Sequence, residues 1–128
     1  MWFAASVLKA VKASEGDQRT FPVFETVFLI EADDFDEAEQ SALQLGAAEV
    51  QASDDLTYCG KPARLELLGI RKLKLTWSPD LKSDPGTRPP VHGTEMIESF
   101  FEVEGEESLR ALSSGKRVTV SYVDDDDG

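Results

Sequence analysis

The sequence predicts an α+β fold, in which a mostly antiparallel sheet of about five strands carries two helices on one face. Three observations predict this class. Apolar side chains alternate along several segments that are rich in Val, Phe and Ile, which is typical of strands. One segment has apolar residues at helical spacing behind an acidic start, which is typical of an amphipathic helix. The first two strand segments are joined by a short polar connection, which favours an antiparallel hairpin.

The elements are expected in the order β-β-α-β-β-α-β. The first two strands are predicted over residues 2–11 and 21–31, joined by a polar turn. The first strand is apolar on both of its faces, so we expect it well inside the sheet.

The first helix is predicted to start behind Asp34, because an aspartate is a good N-cap and Glu37 stands three residues further on. Gly46 either ends this helix or lies within it. A narrow stripe, built partly from alanines, is expected to face the sheet: Phe35, Ala38, Ala42, Leu45 and Glu49.

The remaining elements follow from alternation, Gly and Pro. A strand over 63–77 is either continuous or bent at Gly69, where a bulge is expected. The proline-rich loop that follows is longer than most connections. We expect this loop at 78–93, a strand at 94–103, a short helix at 108–114, a last strand at 116–123 and an acidic tail at 124–128, with residues 1–123 forming one domain.

Charge is distributed very unevenly. The formal net charge is −12, and the stretch from Thr20 to Gly60 holds ten carboxylates and no Lys or Arg. Such a surface repels nucleic acid and anionic membranes and attracts basic proteins. The sequence therefore predicts a basic protein partner, with no nucleic-acid or membrane partner. A single cysteine cannot form an internal disulfide and suits a reducing compartment, so a cytoplasmic location is expected.

The acidic start of the first helix is the candidate partner-binding surface, formed by Asp33, Asp34, Asp36, Glu37 and Glu39. Capping and the helix dipole explain acids in a first turn equally well, and we favour that structural interpretation. A calcium loop with alternating acids and a central glycine is absent, so no metal site is predicted.

A second candidate is a pocket under the 78–93 loop, where Arg88, His92 and Glu95 would converge. Nucleophilic catalysis would need Cys59 beside His92, and neither residue lies in a recognisable local motif. The sequence also has no phosphate-binding glycine loop and no nucleophile elbow, so no catalytic residue and no cofactor are predicted.

A third candidate is a basic strip along the predicted strand at 63–77 and the turn before it. It would bind an anionic ligand, or its charges would pair with acidic neighbours and protect a sheet edge, and we favour the second interpretation. The residues of this strip are Lys61, Arg64, Arg71, Lys72 and Lys74.

Four segments in a fixed order resemble one known family. They are Trp2-Phe3-Ala4-Ala5-Ser6-Val7-Leu8, then Leu29-Ile30-Glu31-Ala32 leading to Asp36-Glu37-Ala38, then Leu68-Gly69-Ile70-Arg71-Lys72-Leu73, and finally Gly93-Thr94-Glu95-Met96-Ile97-Glu98-Ser99. Over about residues 2–101 the chain is similar to small bacterial proteins catalogued as a domain of unknown function, number four-two-eight-eight in that series. The resemblance implies no established activity and brings no catalytic residues.

Three hypotheses about function remain. The first is a non-catalytic acidic protein that binds a basic protein, as an immunity protein or a nucleic-acid mimic does. The second is a structural subunit of a homo-oligomer, joined through a strand edge or an apolar patch. The third is a small enzyme or ligand-binding domain with its pocket under the 78–93 loop.

Overall fold

The fold comes from a computed structural model, which describes residues 1–53, 55–76, 91–114, 116 and 118–122. The elements are β1 (Trp2–Ala13), β2 (Thr20–Glu31), α1 (Phe35–Ala52), β3 (Thr57–Tyr58), β4 (Lys61–Leu75), β5 (Thr94–Glu104), α2 (Glu106–Ser113) and β6 (Ser121–Tyr122). Apart from the two-residue strand β3, this is the predicted element order, and the α+β class is confirmed.

All of the strand pairs are antiparallel, and the strand order across the sheet is β3-β4-β1-β2-β5-β6. The hairpin of β1 and β2 runs in register from Trp2 opposite Glu31 to Ala10 opposite Val23. Strand β1 therefore lies between two long neighbours, as its apolar character on both faces predicts.

The two helices lie on opposite faces of the sheet, so the expectation that they share one face is wrong. One face of β1 carries Phe3, which lies in a buried cluster with the α1 residues Ala38 and Ala42. The other face carries Leu8, which lies in a separate cluster with Leu109 of α2. Successive side chains of a strand point to opposite faces, so a central strand that is apolar on both faces needs cover on both.

Helix α1 begins at the predicted cap and continues past Gly46 to Ala52. At Gly46 the helix comes so close to the sheet that an added Cβ would lie 2.8 Å from Val7 Cγ1 and from Leu67 Cδ1. This glycine therefore serves close packing within the helix rather than helix termination.

Extra residues interrupt the register of two strands. Against β1, Leu68 and Arg71 of β4 are the unpaired residues, on either side of the bulge position expected at Gly69. Against β2, the unpaired residue is Met96 of β5. A bulge changes the face to which the following side chains point.

The last strand begins later than predicted, because among the described residues of 116–122 only Ser121 and Tyr122 pair with β5. Val118 and Val120 instead pack, partly buried, on the apolar cluster beneath α2. Within the described residues, neither helix is long and apolar enough to cross a membrane. The predictions for the proline-rich loop and the acidic tail fall largely on 77–90 and 123–128, which are outside the described residues.

Candidate functional site

A buried lysine links the sheet to α1. Lys9 is 2 % exposed, and it points to the α1 face because it occupies the same face of β1 as Phe3. Its Nζ atom lies 2.6 Å from Glu49 Oε1 and donates to Thr26 Oγ1 at 3.0 Å. The ammonium group is therefore removed from water but has both an anionic and a neutral partner, which a buried charge requires.

Three carboxylates meet beside this lysine. Glu49, Glu95 and Glu98 bring carboxylate oxygens within 4.8 Å of one another, and we call them the glutamate cluster. Residues three apart on a regular strand point to opposite faces. The extra residue Met96 shifts the register by one, so both glutamates point to the α1 face. Glu95 lies opposite Phe28, and Glu98 lies opposite Thr26.

The glutamate cluster carries surplus negative charge. Lys9 binds Glu49, whereas Glu95 and Glu98 are exposed and form no ion pair with any residue that the structure describes. Carboxylates this close repel one another, so a further cation is stabilised there. Oxygen ligands suit hard metal ions, but they suit an ammonium or guanidinium group of a partner equally well.

The predicted acids at the start of α1 are all exposed, and three of them bond to one another. Asp34 Oδ1 accepts a hydrogen bond of 2.8 Å from the Glu37 backbone N–H. Glu37 Oε2 in turn accepts one of 3.3 Å from the Asp33 backbone N–H, one residue before the cap. This arrangement supports the structural interpretation of Asp34 and Glu37. Asp36 is exposed in the first turn of the helix.

Glu39 lies apart from the cap, on the side of α1 that faces β4. There it lines a shallow depression of about 210 Å³ together with Arg71 and Lys72. The five predicted acids therefore do not form one compact site. The cap acids are gathered at the helix start, while Glu39 faces the part of β4 that contains Arg71 and Lys72.

The predicted pocket of Arg88, His92 and Glu95 stays a prediction, because Arg88 lies outside the described residues. His92 is exposed, and its Nδ1 accepts a hydrogen bond of 3.0 Å from the Glu31 backbone N–H. Glu95 belongs to the glutamate cluster.

Cys59 and His92 do not form a catalytic pair. Cys59 is exposed in the turn between β3 and β4, near the end of β1 that carries Ala13. His92 bonds at the other end, where Trp2 faces Glu31. A strand of this length separates its ends by on the order of 35 Å.

Tyr58, next to Cys59, has an altered acidity. Burial raises the pKa of the Tyr58 phenol above its ordinary value of 10.0. The neighbouring Cys59 and the carboxylate of Glu102 raise this pKa further, because both disfavour a phenolate charge. The phenol therefore loses its proton at a higher pH than an ordinary tyrosine does. Tyr58 is not part of the glutamate cluster.

Charges of the basic strip are partly paired, as the favoured interpretation expects. Arg71 bonds to the buried carboxylate of Glu25, and Arg64 lies 3.9 Å from Glu66. Lys72 and Lys74 are exposed, without an ion pair to the described part of the chain. The structure therefore supports cross-strand pairing for Arg71, whereas Arg64 lies near a glutamate of its own strand.

Fold and surface together define a small α+β protein in which helices cover both faces of an antiparallel sheet and glutamates gather beside one helix. A sequence model of the family described as "Domain of unknown function (DUF4288)" matches residues 2–86, which is more than half of the chain. The chain belongs to that family, as the resemblance indicated. No curated protein and no solved structure matches it.

Sequence reasoning missed the cluster that the fold assembles. Lys9 was an available signal, because a lysine inside an otherwise apolar strand needs a buried partner. Glu49 was a second signal, since it continues the sheet-facing stripe of α1. The position of Glu98 could not be predicted, because it depends on the bulge at Met96.

Proposed function

We propose that this protein is a non-catalytic binding protein that holds a basic protein partner against the glutamate cluster. One observation carries the proposal: Glu95 and Glu98 lie together with Glu49, exposed and without a cation of their own from the described residues. A lysine or arginine of a partner would supply the missing charge.

The electrostatics of the whole chain support the same partner. A net charge of −12 speeds the encounter with a basic protein and slows it with nucleic acid. The exposed cap acids Asp33, Asp34 and Glu37 extend the negative field at the other end of α1. Complementary fields of this kind select partners and raise association rates.

A nuclease toxin or another nucleic-acid-binding protein has the required chemistry, since its own ligand is an anion. The protein would then act like an immunity protein or a nucleic-acid mimic. We also propose a bacterial, cytoplasmic protein, in keeping with its single cysteine and the family resemblance.

The test is capture from a lysate of the source cells with three immobilised forms: the wild type, E95Q/E98Q and the matched control E104Q/E107Q. Both variants lose the same charge, but only the first alters the cluster. We expect basic proteins on the wild type and the control, released by high salt, and their loss from E95Q/E98Q. Equal capture by all three forms would contradict the proposal.

A further inference from the structure

Among the described residues, the outer edge of β5 has a strand partner at only two positions. Strand β6 pairs only with Phe101 and Glu102, and no other described residue pairs with the outer edge over 94–100. The side chains along 94–98 are all exposed, including Met96 at 51 % and Ile97 at 62 %. An edge of this kind presents unpaired backbone N–H and C=O groups that can template another strand.

Lysines and prolines commonly protect such edges. The segment 94–100 contains neither and has one bulge, at Met96, whereas β4 carries Lys72 and Lys74 together with two bulges. Of the two long outer strands, β5 therefore has the edge that is better suited to pairing with an added strand.

A second copy of this chain does not suit the edge. Antiparallel pairing of two β5 strands would bring the glutamates of one copy to those of the other, and like charges across strands are destabilising. Pairing of β5 with strand β4 of another copy, which would extend the same sheet, would not neutralise these glutamates. Lys72 and Lys74 lie opposite Ser6 and Ala4 and so point to the α2 face, whereas Glu95 and Glu98 point to the α1 face.

We propose that an extended basic segment of the partner adds to β5 as a further strand. Its backbone bonds to residues 94–100, and Lys or Arg side chains at alternate positions project over the glutamate cluster on the α1 face. The side chains between them lie on the other face, where Ile97 offers an apolar contact. This inference rests on the proposed function and adds the mode of binding to it.

The test uses three soluble peptides. The parent peptide alternates Lys and Val, and the other two carry a methyl group on every second backbone nitrogen, one on the lysine nitrogens and one on the valine nitrogens. Methylation keeps the charge but removes the donors that an added strand directs to β5. Calorimetry at low salt should show binding of the parent peptide, and one methylated peptide should bind about tenfold or more weakly, since several hydrogen bonds are lost. Amide exchange within 94–100 should slow only with peptides that bind as strands.

The outcomes separate the two proposals. Equal binding of all three peptides without protection of 94–100 would overturn strand addition and leave electrostatic binding standing. Absence of binding by every peptide would overturn both. A matched pair of variants localises the effect, since E98Q should weaken binding of the parent peptide and E104Q, further along the same strand, should not.

Discussion

Lys9 in β1 and Glu49 in α1, 40 residues apart in the chain, join their Nζ and Oε1 atoms at 2.6 Å. The contact places the only described cation of the glutamate cluster beneath α1 rather than on the surface. The pair therefore contributes both to the packing of α1 on the sheet and to the charge of the glutamate cluster.

Removing the lysine should destabilise the fold strongly. Lys9→Met leaves Glu49 without its cation and next to two other carboxylates, and we expect a loss of about 3 kcal/mol in the free energy of unfolding. The estimate lies at the low end for buried pairs because the Glu49 side chain is 29 % exposed. Urea denaturation measures the change. The double variant K9M/E49L should recover most of the loss, and additive effects of K9M and E49L would contradict the coupling.

Replacing Gly46 by alanine should destabilise the protein, although alanine favours helices by about 1 kcal/mol. The new methyl group would approach Val7 Cγ1 and Leu67 Cδ1 at 2.8 Å, and overpacking commonly costs about 1–3 kcal/mol. Thermal or urea unfolding of Gly46→Ala measures the balance. A stabilised variant would show that α1 does not pack so closely on β1 and β4.

Capping and charge can be separated at Asp34. Asp34→Ala removes the acceptor of the Glu37 N–H bond and should cost about 1 kcal/mol in stability. Asp34→Asn keeps a good cap while removing the charge, so its stability should stay close to that of the wild type. Equal losses in the two variants would show that the charge, rather than the cap, stabilises this helix end.

Tyr58 should contribute to the alkaline limit of stability. Since its pKa is raised in the folded state, the folded protein holds the phenolic proton more tightly than the unfolded chain does. This stabilisation is present below the ordinary tyrosine pKa of about 10 and is lost as pH rises through the higher folded value. The difference in tyrosinate absorbance between the wild type and Tyr58→Phe isolates the titration of Tyr58. A difference curve unchanged by urea would contradict the raised pKa.

Much of the fold could be predicted, because alternation, helical spacing and the Asp34 cap are local signals. The arrangement of the helices was predicted wrongly, although β1 contained the necessary information: Phe3 and Leu8 demand cover on opposite faces. The last strand was predicted too long because Val118 and Val120 alternate like strand residues but pack on the α2 cluster instead.

The candidate site was less accessible to sequence reasoning, which favoured the dense acids at the start of α1. Those acids are explained largely by the cap, whereas the cluster combines residues from α1 and β5 that are distant in the chain. Glu95 and Glu98 share a face because of the bulge at Met96, and no local sequence pattern predicts this bulge.

We propose the glutamate cluster as the place where a basic partner binds. The most direct test is the dissociation constant of the alternating Lys and Val peptide for the wild type, E95Q/E98Q and E104Q/E107Q at low and at high salt. We expect the wild type and E104Q/E107Q to bind alike and E95Q/E98Q to bind about tenfold more weakly at low salt. High salt should remove most of this difference. Binding by E95Q/E98Q as tight as that of the wild type would show that the partner does not bind at the glutamate cluster.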